Sequence, residues 1–329
     1  MMQPTVSIMI PVLNEERYLA QVVEASLNQD YPNLQQVILS VGPSIDRTEE
    51  IARELAAKNP KVVVVRNRTG RTPDALNCAI EVATGEVVVR CDGHALLPKN
   101  YVSVAVETLH RTGADNVGGI MDAQGESTFQ KAVAWAMTSK LGVGAAAFHV
   151  GGNEGEVETV YLGCFKKSAL DRVGGYDPAM TRAQDWEMNH RIRKTGGKIW
   201  FNPALKVTYR PRRTVGTLAK QYLQYGQWRR RVMKMHPETS IGLRALRYFA
   251  PPTALLANAI GLIVGLSGLV TNTCWILGLG IPLLYIAAVK FIGLFIARNV
   301  DFKTRLLIPL ALATMHMAWG WGFLTSPHK

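Results

Sequence analysis

The chain has 329 residues and a formal net charge of +12, and 48% of its residues are apolar. This length excludes a single minimal domain and accommodates a complete α/β core with an appended region. Such a charge suits an anionic partner, namely nucleic acid, a diphosphate or an acidic membrane surface. The basic residues concentrate beside the apolar C-terminal region, which favours lipid headgroups over nucleic acid. The four cysteines form no Cys-x-x-Cys pair, which disfavours a disulfide framework and is typical of a reduced cytosolic compartment.

The N-terminal part alternates between short apolar runs and helical patterns. This alternation predicts βαβ units, and therefore an α/β fold with a mainly parallel sheet covered on both faces. The predicted strands are Val6–Ile10, Val37–Val41, Val62–Val65 and Val87–Cys91, and the predicted helices are Glu15–Leu27, a segment ending near Lys58, and Thr72–Ala83.

Polar residues follow each predicted strand. Because ligands of such sheets bind beyond the carboxyl ends of the strands, these residues are the candidates for a binding site. They are Asn14 and Glu15 after the first strand, Asp46 after the second, Arg71 after the third, and Asp92 and His94 after the fourth.

Two segments carry the residue types needed for catalysis. Asp92-Gly93-His94 places a carboxylate and an imidazole two positions apart, and both bind divalent metals; the alternative is a polar Asp-Gly turn. Asp185 lies at the start of a predicted helix, where it is either a general base or a carboxylate that caps the helix.

A helical period from about Thr214 to Met235 places apolar residues on one face and Lys220, Arg229, Arg230 and Lys234 on the other. This pattern is typical of a helix at a membrane surface, and the alternative is an ordinary surface helix packed on the domain.

Three apolar stretches follow, Thr253–Val270, Cys274–Ala297 and Leu306–Leu324, each close to the roughly 20 residues that cross a bilayer. The first connection, 271–273, has no positive charge, whereas the second contains Arg298, Lys303 and Arg305. The positive-inside rule therefore predicts a multi-pass protein with a cytosolic N-terminal domain and an external C-terminus. A buried apolar hairpin, or a partly re-entrant middle stretch, is the alternative. The predicted domains are 1–212 (catalytic), 213–250 (interfacial helical segment) and 251–329 (membrane domain with about three spans).

An ordered set of motifs resembles family 2 glycosyltransferases of the GT-A fold, within them the membrane-anchored enzymes of exopolysaccharide assembly, such as the succinoglycan-biosynthesis type. The matching segments are Ser7–Glu15 with its Pro-x-x-Asn-Glu turn, Gly70–Asn77, Asp92-Gly93-His94, Val173–Asp177, Gln184-Asp185, and Gln224-x-x-Gln227-Trp228, which is one residue from the Gln-x-x-Arg-Trp motif.

The resemblance implies an inverting sugar transfer from a nucleotide-sugar to a hydroxyl of a lipid-linked saccharide at the cytosolic membrane face, in assembly of a cell-surface polysaccharide or glycan. It implies that Asp185 is the catalytic base and that Asp92 and His94 hold a divalent metal, Mn²⁺ or Mg²⁺. The donor-binding residues are then Pro11, Asn14, Glu15, Asp46, Arg71 and Asp92. The residues implied at the acceptor or donor pocket are Gln184, Trp186, Gln224, Gln227 and Trp228.

Two departures from the family pattern matter. The acidic pair that usually follows the second strand is reduced to Asp46, so a UDP-sugar is expected from family habit alone. His94 replaces an aspartate, and because imidazole suits transition metals, Mn²⁺ is expected to serve at least as well as Mg²⁺. Two alternatives stay open: a polyprenyl-phosphate sugar transferase, which needs no base such as Asp185, and a non-catalytic membrane scaffold of the same fold.

Overall fold

The computed structural model describes residues 3–241, 243–271 and 273–327. The described chain forms two compact units. The first comprises the residues up to Asp122 together with Ala146–Tyr209, and the second comprises Ala123–Ala145 together with the residues from Arg210 onward. The sequence patterns do not predict that residues 123–145 belong to the same unit as the C-terminal part of the chain. Asn272, in the first predicted connection between spans, lies outside the described residues.

The first unit is built on one eight-stranded sheet with the strand order β3-β2-β1-β4-β7-β5-β8-β6. Strands β1 to β4 pair in parallel, and β7 runs antiparallel to β4 and β5. The α/β, GT-A-like fold predicted from the sequence is confirmed, because the four predicted strands are β1 to β4. The strands are β1 Val6–Val12, β2 Leu34–Val41, β3 Val62–Arg66, β4 Val87–Arg90, β5 Asn116–Ala123, β6 Gly155–Glu156, β7 Tyr161–Lys166 and β8 Ile199–Tyr209.

Helices cover both faces of this sheet, which is why successive residues of β1 enter different apolar clusters. Ile8 and Ile10 pack into one cluster and Met9 packs into the other. The helices before Arg210, of which α5 and α6 belong to the second unit, are α1 Leu19–Leu27, α2 Thr48–Lys58, α3 Thr72–Val82, α4 Tyr101–Thr112, α5 Thr128–Met137, α6 Lys140–Val143, α7 Ala147–Val150, α8 Lys167–Val173 and α9 Gln184–Lys194.

The rest of the second unit is helical. Its elements are α10 Val215–Met235, a 3₁₀ turn Pro237–Ser240, α11 Leu243–Leu246, α12 Ala250–Thr271, a 3₁₀ helix Cys274–Leu279, α13 Gly280–Phe291, a π-helical turn Ile292–Ile296 and α14 Phe302–Leu324. Three helical stretches in the described residues are long and apolar enough to cross a membrane: Ala250–Thr271, Cys274–Ile296 and Phe302–Leu324.

The basic helix α10 packs on α14. Thr214 caps its start through a reciprocal capping box, and its buried face includes Leu218, Tyr222 and Gly226. Gly226 is needed for this contact, since an added Cβ would lie 2.1 Å from the Trp319 carbonyl oxygen. One side of α10 is therefore occupied by another helix.

Gly119 of β5 lies so close to β8 that an added Cβ would be 1.8 Å from the Leu205 carbonyl oxygen. We expect Gly119→Ala to lower the free energy of unfolding by about 1–3 kcal/mol, because the backbone must move to accept the methyl group. Thermal unfolding of the detergent-purified protein measures the change. Gly216→Ala is the matched control, because it adds a methyl into open space near the start of α10. Equal unfolding midpoints for the two variants would contradict the prediction.

Candidate active site

A buried arginine joins the two carboxylates that the sequence analysis singled out. Arg90, the last residue of β4, is 3% exposed. Its Nε and Nη2 lie 3.0 and 2.9 Å from Asp92 Oδ1, and its Nη1 donates to Asp185 Oδ1. The structure therefore brings together Asp92 and Asp185, whose segments are far apart in sequence.

Asp185 is the second residue of α9, and Ala183, the residue directly before this helix, adopts a left-handed φ of 57°. A non-glycine residue in this region is strained, so the surrounding contacts must hold the turn in place. Burial raises the pKa of Asp185 to about 6; Asp92 adds to the rise and Arg90 opposes it. At neutral pH the carboxylate is therefore mostly ionised and close to the pKa that suits a general base.

Two polar side chains hold the loop that precedes α9. Asn77 of α3 donates from Nδ2 to the Tyr176 carbonyl and accepts from the Tyr176 N–H, both at 2.7 Å. Arg191 of α9 donates to the carbonyls of Val173 and Gly175 at 2.5 and 2.8 Å. The Asn77 bonds therefore fix the loop to α3, and the Arg191 bonds fix it to α9, the helix that carries Asp185.

Glu187 completes this support. It is almost fully buried and forms a two-pronged ion pair with Arg191, with N–O distances of 2.7 Å. On either side of Asp185, Gln184 is buried and Trp186 stacks on His190, with ring centroids 5.1 Å apart.

The loops after β1 and β2 are interlocked. Asn14, at a left-handed φ of 57°, accepts from the Ile45 N–H at 2.9 Å and its own N–H donates to Ser44 Oγ at 3.0 Å. Asp46 accepts from the backbone N–H groups of Glu16 and Thr48. The Asp46 carboxylate thus braces this edge of the sheet.

Pro11 and Glu15 lie beside the Asp92-Gly93-His94 segment. A Cβ added to Gly93 would be 2.9 Å from Glu15 Cγ and 3.3 Å from the Pro11 carbonyl oxygen, so a larger residue there would have to displace the Glu15 side chain. Arg71, after β3, is at the start of α3, where its Nε donates to Asp74 Oδ2 at 2.7 Å.

The end of β4 carries the predicted metal ligands, Asp92 and His94. Glu15 Oε1 lies 2.8 Å from Nδ1 of the half-exposed His94, so this carboxylate orients the imidazole. Asp92 supplies a carboxylate two positions away. One oxygen and one nitrogen ligand suit Mn²⁺ better than Mg²⁺.

The other predicted pocket residues, Gln224, Gln227 and Trp228, lie on α10 in the second unit. The Gln227 carbonyl accepts from Ser326 Oγ at 2.9 Å, and the Arg231 guanidinium lies 4.7 Å from the Trp228 ring centroid.

Sequence reasoning missed Arg90, Asn77 and Arg191 as functional residues. Arg90 did leave a signal, because it is a lone charge at the end of the run Val87–Val89. Charged residues in buried strands are nearly always paired with an opposite charge, so the sequence alone could have predicted an acidic partner for Arg90.

Comparison with known proteins places these features in a family. The family described as "Glycosyl transferase family 2" matches residues 7–174. The succinoglycan biosynthesis protein ExoA of Rhizobium meliloti is 31% identical over 318 residues, which cover 96% of this chain and 93% of that protein.

Two more distant similarities extend the comparison. A dolichyl N-acetyl-α-D-glucosaminyl phosphate 3-β-D-2,3-diacetamido-2,3-dideoxy-β-D-glucuronosyltransferase of Methanococcus voltae is 27% identical over 67% of this chain and 71% of that protein. The structure of the mannosyltransferase PcManGT from Pyrobaculum calidifontis with GDP-Man and Mn²⁺ has a TM-score of 0.59 at 19% identity, covering 95% of this chain and 86% of that one. The similarity to this mannosyltransferase structure supports the GT-A-like fold of the chain.

Removing the charge of Arg90 should destabilise the first unit. In Arg90→Met, Asp92 and Asp185 lose their shared cation, and we expect the free energy of unfolding at pH 7.5 to fall by about 2–4 kcal/mol. The deficit should shrink as the pH falls towards about 6, because loss of Arg90 raises the pKa of Asp185 further and protonation of Asp185 in the variant removes the uncompensated charge.

Thermal unfolding of both proteins across this pH range measures the effect. Arg172→Met is the matched control, because the Arg172 side chain is partly exposed and its partner Asp115 keeps a second cation, Lys166, so its loss should cost less than about 1 kcal/mol. A deficit of Arg90→Met that is independent of pH would contradict the electrostatic explanation.

Proposed function

The chain belongs to glycosyl transferase family 2 and is a glycosyltransferase of glycan biosynthesis, and we propose that it moves a sugar from a UDP-sugar to a hydroxyl of a lipid-linked saccharide. The observation that carries this proposal is the buried Arg90, which joins a donor-side carboxylate, Asp92, to the candidate base, Asp185.

Asp185 is the general base of the proposed reaction. Its carboxylate accepts the proton of the attacking hydroxyl while the oxygen bonds to the anomeric carbon and the bond to the nucleoside diphosphate breaks, with inversion at that carbon. With its pKa raised to about 6, this carboxylate is a stronger base than an exposed aspartate and is still ionised at neutral pH. Arg90 holds it in one orientation.

In this proposal the donor binds against the loops that follow the first four strands. The nucleotide contacts Pro11, Asn14, Asp46 and Arg71. Asp92 and His94 would hold a divalent metal, with Glu15 orienting the imidazole. When bound, such a metal neutralises charge on the diphosphate leaving group. The similar mannosyltransferase structure contains Mn²⁺, which supports this choice.

A lipid-linked saccharide acceptor is supported by two observations. The name of the Methanococcus voltae relative describes transfer to a sugar carried on dolichyl phosphate. Asp185 also favours a hydroxyl, because a polyprenyl phosphate is already an anion and needs no base. Gln184 and Trp186 flank the base and are proposed to contact the acceptor; the same role for Gln224, Gln227 and Trp228 stays a prediction.

The proposed location is a bacterial-type cell membrane, with the catalytic unit on the cytosolic side. The candidate membrane helices begin at Ala250. Arg298, in the connection before α14, and Lys303, in its first turn, mark the side that the positive-inside rule assigns to the cytosol.

Turnover with and without metal tests the activity directly. We expect the detergent-purified protein to release nucleoside diphosphate from one UDP-sugar and to move labelled sugar into a lipid extract of the host membrane, with Mn²⁺ at least as effective as Mg²⁺. A donor panel that includes GDP-mannose identifies the nucleotide. Chelation by EDTA should abolish release, and His94→Ala should raise the Mn²⁺ concentration required. Absence of both donor binding and turnover with any metal would favour the scaffold alternative.

Loss of the base should separate catalysis from binding. We expect Asp185→Asn to reduce kcat by at least about 100-fold, because general-base catalysis contributes that much, while donor affinity stays within about threefold. For the parent enzyme, kcat/KM should fall as the pH drops below about 6, since Asp185 then becomes protonated. Asp171→Asn, a carboxylate on the exposed surface of α8, is the matched control and should be fully active. Loss of donor binding in Asp185→Asn, or full activity, would contradict the assigned role.

A further inference from the structure

The elements before Ala250 define the membrane face from which the chain enters the bilayer. Within the described residues, the first helix long and apolar enough to cross begins at Ala250. Helices α5 and α10 precede it, and α10 carries five cations between Lys220 and Lys234, which excludes it from the hydrocarbon layer. Both helices therefore lie on this side, the entry face.

The end of α14 is bound to α10. Arg230 Nη1 donates to the carbonyls of Phe323 and Leu324 at 3.0 and 2.9 Å, so a cation of α10 caps the last turn of α14. Ser326 Oγ donates to the Gln227 carbonyl at 2.9 Å. Because α10 lies at the entry face, the end of α14 does as well.

The start and middle of α14 are bound to the α5–α6 segment. Trp135 Nε1 donates to Oδ1 of Asn299, three residues before α14, at 3.0 Å. His316 Nε2 lies 2.9 Å from the Leu141 carbonyl oxygen. A helix with both ends at one face does not cross, although its 23 residues span about 34 Å at 1.5 Å per residue.

Helix α12 and the stretch Cys274–Ile296 form a tight antiparallel hairpin. Added Cβ atoms at Gly268 and Gly265 would lie 2.0 and 2.5 Å from the backbone nitrogens of Ile276 and Leu279. Small residues permit this close approach of helices in lipid. The outer surface of the hairpin is apolar and exposed, at Leu262, Ile263, Leu266, Leu277, Leu283 and Leu284 among others.

Both ends of this hairpin rest on α14. A Cβ added to Gly320 would lie 2.7 Å from the Pro251 carbonyl oxygen, and one added to Gly293 would lie 2.7 Å from Pro309 Cδ. Gly320 and Pro309 are 11 positions apart, which is about 16 Å along the helix. Helix α14 therefore runs across the base of the hairpin.

The exposed face of α14 is that of a helix lying in the plane of a membrane. Phe302, Leu306, Leu310 and Trp321 are 44–64% exposed and share one side. The opposite side is buried, at Ile308, Ala311, Leu312 and Met315. An apolar stripe that faces outward at the membrane surface fits the boundary between headgroups and acyl chains.

We propose that the bilayer is crossed only by the hairpin of α12 and Cys274–Ile296, and that α14 lies in the plane of the entry face with its exposed stripe in the lipid. The residues after Leu324 are then on the same side as the catalytic unit. This arrangement differs from the three spans and external C-terminus predicted by hydropathy. The assignment of the entry face to the cytosol rests on the proposed function. The prediction of two crossings does not depend on it.

Cysteine accessibility in the full-length protein tests this topology. Native Cys274, at the tip of the hairpin, is exposed and reports the far face. In a Cys78→Ser/Cys274→Ser background, Lys303→Cys and Pro327→Cys place single exposed cysteines before and after the body of α14. A membrane-impermeant maleimide is applied to intact cells and again after permeabilisation. Thr325→Cys, also exposed, replaces Pro327→Cys if that variant does not accumulate.

We expect Cys274 to be labelled in intact cells, and Lys303→Cys and Pro327→Cys to be labelled only after permeabilisation. Labelling of Pro327→Cys together with Cys274, while Lys303→Cys is protected, would establish three crossings and overturn the proposal. If Cys274, Lys303→Cys and Pro327→Cys are all protected in intact cells, the hairpin does not cross, and this result would also overturn the proposal. The reverse pattern, with only Cys274 protected, would support two crossings and contradict the cytosolic orientation of the proposed function.

Discussion

The candidate active site depends on the burial of one guanidinium group. Arg90 is nearly inaccessible to water, and a buried cation requires counter-charges within hydrogen-bonding distance. Asp92 supplies one from the same strand end, and Asp185 supplies the other from a helix 95 residues further along the chain. The position of the candidate base is therefore tied to the sheet by an ion pair that would be costly to break.

The elements around α9 maintain this contact. Ala183 has a strained backbone, and the chain before it bends through the Gly174-Gly175 pair. Asn77 and Arg191 satisfy the carbonyls exposed by that bend. Burial raises the pKa of Asp185 while Arg90 keeps the ionised form accessible, so the same contacts that position the carboxylate also set its basicity.

In the second unit, glycines decide which helices come together. Gly226, Gly320 and Gly322 bring backbones of α10, α12 and α14 into direct contact, and Gly261, Gly265 and Gly268 do the same inside the hairpin. Helices joined in this way have little freedom to tilt independently. The proposed in-plane position of α14 follows from such contacts at both of its ends.

The sequence by itself determined the strand order β1 to β4 along the chain, the helices between them and the polar residues at their ends, because periodicity and strand-end chemistry are local properties. It also determined three apolar stretches of membrane length. Only the tertiary structure decided that Arg90 faces Asp185 and that Glu15 faces His94, since these pairs join loops distant in sequence. Only the tertiary structure likewise supports the proposed separation of α14 from the hairpin. All three stretches are long and apolar enough to cross a membrane, and the difference lies in what the two ends of each helix contact, which a local stretch of sequence does not determine.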